Sequence, residues 1–212
     1  MSFDVWLTFS TVALLNIISP GPAILLAISN GITSGPKIVS ISSLGNILGL
    51  FLVSSISMFG IGAILQASAF LYMLVKIIGA GYLIYLGIRK YKSKEVFFAV
   101  ANQESCPEGS ASLPKFREGF LIAATNPKAI LFFVAFFPLF LNVNTPVLPQ
   151  FFVMTLTFMG LSFISLMTYG LLAKAARHWL ADVRMVRLFH KITGGIFIGM
   201  GLFLLQVKHN HN

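Results

Sequence analysis

Six apolar runs, each long enough to cross a bilayer, dominate this chain. They fall at about 4–33, 38–65, 69–90, 116–141, 148–173 and 189–207. A helix needs about 20 apolar residues to span the roughly 30 Å hydrocarbon core. Inside that core every backbone N–H and C=O must find a partner, so the runs are expected as helices. The 10% of charged residues is far below the roughly 25% of soluble domains. With 57% hydrophobic residues and a mean hydropathy of +0.87, little is left for a separate soluble domain. The expectation is an all-α integral membrane protein forming a single transmembrane domain over residues 1–212.

Where the charges fall predicts the orientation. A net charge of +9 on a soluble chain would suggest nucleic acid. Here Lys and Arg lie mostly between apolar runs, so no nucleic-acid partner is expected. Lys37 is in loop 1; Arg89, Lys90, Lys92, Lys94, Lys115 and Arg117 flank loop 3; Lys174, Arg177, Arg184, Arg187 and Lys191 lie in loop 5. Loop 4, Asn142 to Pro149, is uncharged. The positive-inside rule then makes loops 1, 3 and 5 cytoplasmic and puts both termini outside. The short turn near Gln66–Ser68 is the weak point, because five crossings instead of six would flip one end. Asp4 takes the place of a basic n-region, and the first run is too long for a signal peptide.

The six runs divide into two related threes. KIIGAGYLIYLG from Lys76 matches KITGGIFIGMGL from Lys191 at an offset of 115, and Gly45 falls on Gly160 at the same offset. SPGPAILL from Ser19 matches TNPKAILF from Thr125 at an offset of 106. Three crossings is an odd number, so the second half must enter the membrane the other way up. Repeat 1 is expected over about 1–92, a cytoplasmic loop over 93–115, and repeat 2 over 116–207. Chance matching of apolar sequence is the alternative. Against it, the Pro-containing breaks occupy matching helices, 1 and 4.

Those breaks are the candidate binding site. Ser19 reads as an N-cap with Pro20 as first helical residue, Gly21 allowing close approach, and Pro22 still among the donors that need no intrahelical partner. Asn126 reads as a cap, Pro127 as first helical residue, and Lys128 as the second. Both breaks thus start half-helices in the membrane, and positive helix ends attract anions. Lys128 lies deep in helix 4, where a cation costs about 2.5–3.5 kcal/mol. No Asp or Glu is deep in any run; Asp4 and Glu118 lie near ends. Two readings of Lys128 stand: it binds an anionic substrate, or it bonds carbonyls of the opposite broken helix. Asn16 lies just before SPGPA and joins the candidates.

Other features carry less. Asn46, Thr125, Thr168 and Tyr169 read as interhelical hydrogen-bonding groups before ligand contacts. Gly79, Gly81, Gly87, Gly194, Gly195, Gly199 and Gly201 read as close-packing surfaces. Cys106 is the single cysteine, which excludes an intramolecular disulfide. There is no HExxH helix and no phosphate loop. His178, His190, His209 and His211 have no metal-ligand company, so neither a metal nor another cofactor is expected. A membrane enzyme is disfavoured. A scaffold or passive pore fits the apolar runs but leaves the paired breaks unexplained.

With SPGPAILLAISNGITSGPKIV, LGNILGLFL, VKIIGAGYLIYLGIRKYKS, FREGFLIAATNPKAILFFVAFFPLF and GGIFIGMGLFLL in place, the chain resembles the LysE/RhtB family of bacterial amino-acid exporters over nearly its whole length. The resemblance implies a multi-pass protein of the bacterial inner membrane. It would export amino acids or related small molecules, driven by an ion gradient, with a homodimer compatible with such proteins. Homoserine and threonine, leucine-like and basic amino acids are the substrate classes it suggests. The missing deep acid favours neutral ones. A proton is the expected coupling ion, with Lys128 as the group that would release it; the remaining partner is membrane lipid.

Overall fold

The computed structural model describes residues 1–19, 21–67, 69–92, 112–142, 145–173, 175 and 183–206. Pro20, Cys106, Lys174, Arg177, His178, His209, His211 and most of the loop expected over 93–115 lie outside these residues. The described residues contain helices and no strand. They are α1 (Phe3–Ile18), α2 (Pro22–Thr33), α3 (Pro36–Ala67), α4 (Ala69–Lys92), α5 (Ser112–Ala124), α6 (Pro127–Leu131), α7 (Val147–Leu172) and α8 (Val183–Gln206).

Among the described residues, Pro36–Gly60 within α3 and all of α7 are each long and apolar enough to cross a membrane. Two further spans qualify as bent pairs: α1 with α2 at 58°, and Ser112–Ala124 with Pro127–Phe140 at 45°. Large apolar side chains cover the outer surface, including Ile56, Phe59, Leu148 and Ile164. That suits lipid, which does not penalise them as water would.

Several helix boundaries depart from the sequence expectation; α5, for one, starts at Ser112, inside the loop expected over 93–115. The fourth run does not continue as an α-helix beyond Leu131. It becomes a π-helical turn, Phe132–Phe136, and then a 3-10 turn, Phe137–Phe140. Pro138 accounts for this, since it lacks an N–H and its ring would clash with the carbonyl four residues back. α8 starts six residues earlier than expected and carries Arg184, Arg187, His190 and Lys191 on the helix, not in a loop. Met, Leu, Arg and Lys are good helix formers, so the helix extends past its apolar part. α2 ends at Thr33, as expected; Gly35 then takes a left-handed φ of 83°, and Pro36 starts α3 two residues earlier than expected.

Small residues decide how the helices meet. A Cβ on Gly45 would collide with the Phe116 carbonyl, and one on Gly119 with the Ser42 carbonyl, so α3 and α5 touch backbone to backbone. Gly49 sits against Phe120 and Ala123 further along, which makes the two helices parallel. Gly31 of α2 lies on the Gly170 carbonyl of α7. On the α4–α8 contact, Gly87 meets Gly194 and Gly201 meets Ala80; one number rises as the other falls, so these helices are antiparallel. Gly81, Gly195 and Gly199 have open space where a Cβ would stand, so they are not close-packing surfaces as expected. Lipid tails are as apolar as side chains, and such close approach is what drives helices together.

The largest core gathers α1, α3, α4, α7 and α8 around the turns after α6. Phe132 and Phe133 each stand 4.9 Å from the Phe158 ring, and Phe9 meets Phe137 edge-on at 6.0 Å. The bulk of this aromatic core fixes the irregular segment below Lys128. Trp6 Nε1 donates to Thr157 Oγ1 at 3.0 Å, and the Tyr169 hydroxyl donates to the Ile18 carbonyl at 3.1 Å. These bonds advance by equal steps along both helices, so α1 and α7 are parallel.

Candidate functional site

Proline chemistry sets the first break. Ser19 is the C-cap of α1, extended at φ −64° and ψ 125°. Gly21 is extended too, at φ −154° and ψ −178°, and is the N-cap of α2; Pro22 is the first helical residue. The start is therefore two residues later than the sequence suggests, and Ser19 is not its cap. A residue before proline is pushed out of the α region, so Pro22 keeps Gly21 from being helical. α2 consequently begins with no side-chain cap.

The second break follows the sequence expectation. Asn126 is extended at ψ 109°, its side chain accepts from the Lys128 N–H at 3.1 Å, and Pro127 is the first residue of α6. The two helix starts thus differ. One is capped by its own asparagine; the other has only a glycine.

Lys128 joins the breaks. Its Nζ donates to the Asn16 carbonyl at 2.9 Å and to the Ser19 carbonyl at 2.8 Å. Of the two sequence readings, bonding to carbonyls of the opposite broken helix is the one in place. The carbonyls of a helix C-terminus lack intrahelical partners and carry partial negative charge, which favours a cation there. Tyr169 satisfies the Ile18 carbonyl between them. This is the interhelical role expected of it, whereas Thr168 bonds within its own helix, to Ile164.

A cavity of about 30 Å³ lies between the breaks, mostly apolar in its walls but with polar groups converging on it. Asn16, Gly21, Asn126 and Lys128 line it, joined by Asn46 of α3 and Ser162 of α7. Ile17, Leu50 and Phe158 supply apolar wall. Ser19 is buried beside it, while Pro22 and Pro127 start their helices but lie exposed, outside the lining. A Cβ on Gly21 would sit 3.5 Å from Lys128 Nζ, in ordinary contact. Asn16 and Ser19 are each 1% exposed, and Asn16 Oδ1 and Ser19 Oγ have no hydrogen-bond partner among the described residues. Buried polar atoms rarely stay so, and those that do call for an explanation.

Sequence reasoning missed Ser162 and Phe158. Neither sits in a motif; only the packing of α7 across both breaks brings them to the cavity. A separate, wider recess of about 580 Å³ lies between the start of α1 and residues Thr145–Val153, and shares no residue with the first. Buried Gln150 shapes that end, exchanging hydrogen bonds with the Asn142 backbone at 2.9 Å in both directions.

An all-helical membrane protein with two interrupted helices around a cavity that holds a lysine and three asparagines has the build of a transporter. The chain belongs to the LysE type translocator family, whose model matches residues 14–207. It is 31% identical to an uncharacterized membrane protein of Vibrio cholerae serotype O1, over 98% of this chain and 100% of that one. It is 29% identical to the uncharacterized membrane protein YrhP of Bacillus subtilis, over 92% and 96%. A homoserine/homoserine lactone efflux protein of Salmonella typhimurium is 25% identical over 99% and 100%. No solved structure matches the chain.

Proposed function

We propose that this protein is a secondary transporter of the bacterial inner membrane that exports amino acids or closely related small molecules. The substrate binds between the broken helices, at Asn16, Ser19, Gly21, Asn126 and Lys128, with its carboxylate at the start of α2 beside Lys128; Pro22 and Pro127 start the two half-helices. The observation that carries this is the uncapped start of α2, with Gly21 on the cavity wall beside the Lys128 ammonium. A helix N-terminus without a side-chain cap offers N–H groups and a positive end to an anion. Lys128 adds a full charge to the same spot. Export as the direction, and homoserine as the first substrate to try, come from the efflux relative.

The alternating-access reading treats residues 1–92 and 116–207 as two inverted halves. The helix directions support it. α1 with α7 and α3 with α5 are parallel, and α4 with α8 antiparallel, as six alternating crossings require. The 115 offset sends the Gly87–Gly194 contact to positions 79 and 202, one residue from the second contact at Ala80 and Gly201. At about 30 Å³ the cavity admits a water, which needs roughly 10–15 Å³, but no amino acid. The halves must therefore part for substrate to enter, and the proposed cycle rocks one against the other.

Replacing Lys128 with Met tests the site. Efflux of a neutral amino acid from loaded cells should fall at least about tenfold, with protein levels checked in the membrane fraction. Normal export from normally inserted protein would remove Lys128 from the binding reaction.

A scaffold is the second reading, and one observation favours it: Lys128 already bonds two carbonyls of α1. Expression that neither lowers intracellular amino acids nor raises resistance to toxic analogues would support the scaffold.

A further inference from the structure

The break between α1 and α2 presents two opposite helix ends three residues apart. The C-terminus of α1 is a cluster of carbonyls; the N-terminus of α2 is a set of donors. A zwitterion carries the matching pair of charges. One half of that match is already realised, because a primary ammonium, that of Lys128, sits on the carbonyls of Asn16 and Ser19 at 2.9 and 2.8 Å. The buried Asn16 Oδ1 and Ser19 Oγ, on the two residues whose carbonyls hold that ammonium, have no partner among the described residues. They are acceptors beyond those that Lys128 uses.

We infer that the C-terminus of α1 is a binding site for a primary ammonium group, with Lys128 as its resident occupant and the substrate's amino group as its competitor. The inference rests on the export reading and extends it from the carboxylate to the whole head group. When the substrate ammonium takes the Asn16 and Ser19 carbonyls, Lys128 is displaced toward the carboxylate at the start of α2. No charge is left unpaired during the exchange: carbonyls pass from one ammonium to another, and Lys128 passes from carbonyls to carboxylate. The swing accompanies the parting of the halves, since the closed cavity of about 30 Å³ has no room for it, and the long unbranched stem of lysine passes the side-chain-free Gly21 on the way. The substrate class follows: solutes with a free primary amino group, N-substituted ones being refused.

Two experiments on the full-length protein test this. In the first, proteoliposomes are loaded with homoserine, threonine or leucine, or with the N-acetyl form of each. N-acetylation should lower efflux at least about tenfold, since it removes a charged donor from two or more hydrogen bonds. Equal efflux of both forms would overturn the ammonium site while leaving export standing.

In the second, Lys128→Ala is unfolded thermally in detergent. Its melting temperature should fall, and methylammonium should restore about 2–4 °C or more by occupying the vacated carbonyls. Tetramethylammonium, which has no N–H, should restore nothing, and wild type should respond to neither. Failure of methylammonium to rescue a folded Lys128→Ala protein overturns the inference. If no amino acid is exported but rescue occurs, the export reading fails and the ammonium site stands. Where Lys128→Ala does not fold, the N-acetyl comparison on wild type decides.

Discussion

Lys128 is held by two carbonyls that a continuous helix would have used itself. Breaking α1 costs backbone hydrogen bonds, and a lysine from the other break replaces part of them. Asn126 does the equivalent work at its own break, accepting from the Lys128 N–H. Its contribution is separable from that of the ammonium. Asn126→Ala should cost about 1 kcal/mol, as N-cap removals do. For a chain of this size that is roughly 2–4 °C of melting temperature. Asn126→Asp, also a good cap, should keep most of it. A melting curve for each variant in detergent decides the matter, and an alanine variant melting with wild type would show the cap to be idle. The motif itself was legible, because Pro-containing breaks are visible in any apolar run. The position of the first cap was not read correctly. Ser19-Pro20 and Gly21-Pro22 both satisfy the cap-then-proline rule, and only the bar on helical residues before proline separates them.

Among the elements, the glycines divide into two kinds that composition cannot distinguish. Gly45 and Gly119 bring the backbones of α3 and α5 into contact, while Gly195 and Gly199 of α8 face open space. Each set sits in an apolar helix, and the sequence reading assigned all the glycines of the third and sixth runs to packing. Which face of a lipid-embedded helix meets protein is hidden from sequence, because lipid and core both accept apolar side chains. The difference is measurable. Gly45→Val forces the Cβ onto the Phe116 carbonyl and should cost at least the roughly 1–3 kcal/mol typical of overpacking. Gly195→Ala should change stability by less than about 0.5 kcal/mol, as surface changes usually do. Reversal of this order in thermal unfolding would mean that the outer face of α8 is covered. The π and 3-10 turns after α6 had a signal, Pro138, but the apolar run around it reads as uninterrupted helix unless that proline is weighed.

For the whole molecule, the mechanism turns on which way it faces and on each bent pair crossing the membrane. Twelve Lys and Arg residues fall in or beside loops 1, 3 and 5, and none in loop 4. That asymmetry predicts loop 3 in the cytoplasm and loop 4 outside. The fold adds a sharper condition. α5 and the segment from Pro127 to Phe140 meet at 45°, so together they make either one broken crossing or a re-entrant hairpin. A transporter with inverted halves requires a crossing. The single cysteine makes the test direct. Cys106 in loop 3 should react with a membrane-impermeant maleimide in inside-out vesicles and be silent in intact cells. In a Cys106→Ser background, Thr145→Cys, exposed just before α7, should show the opposite pattern. Both sites reacting from one side would make the second break a re-entrant loop. The two halves would then not be inverted copies, and alternating access by rocking would lose its structural basis. Opposite sides with the reverse polarity would keep the halves and the site but turn the protein over, contrary to the charge argument.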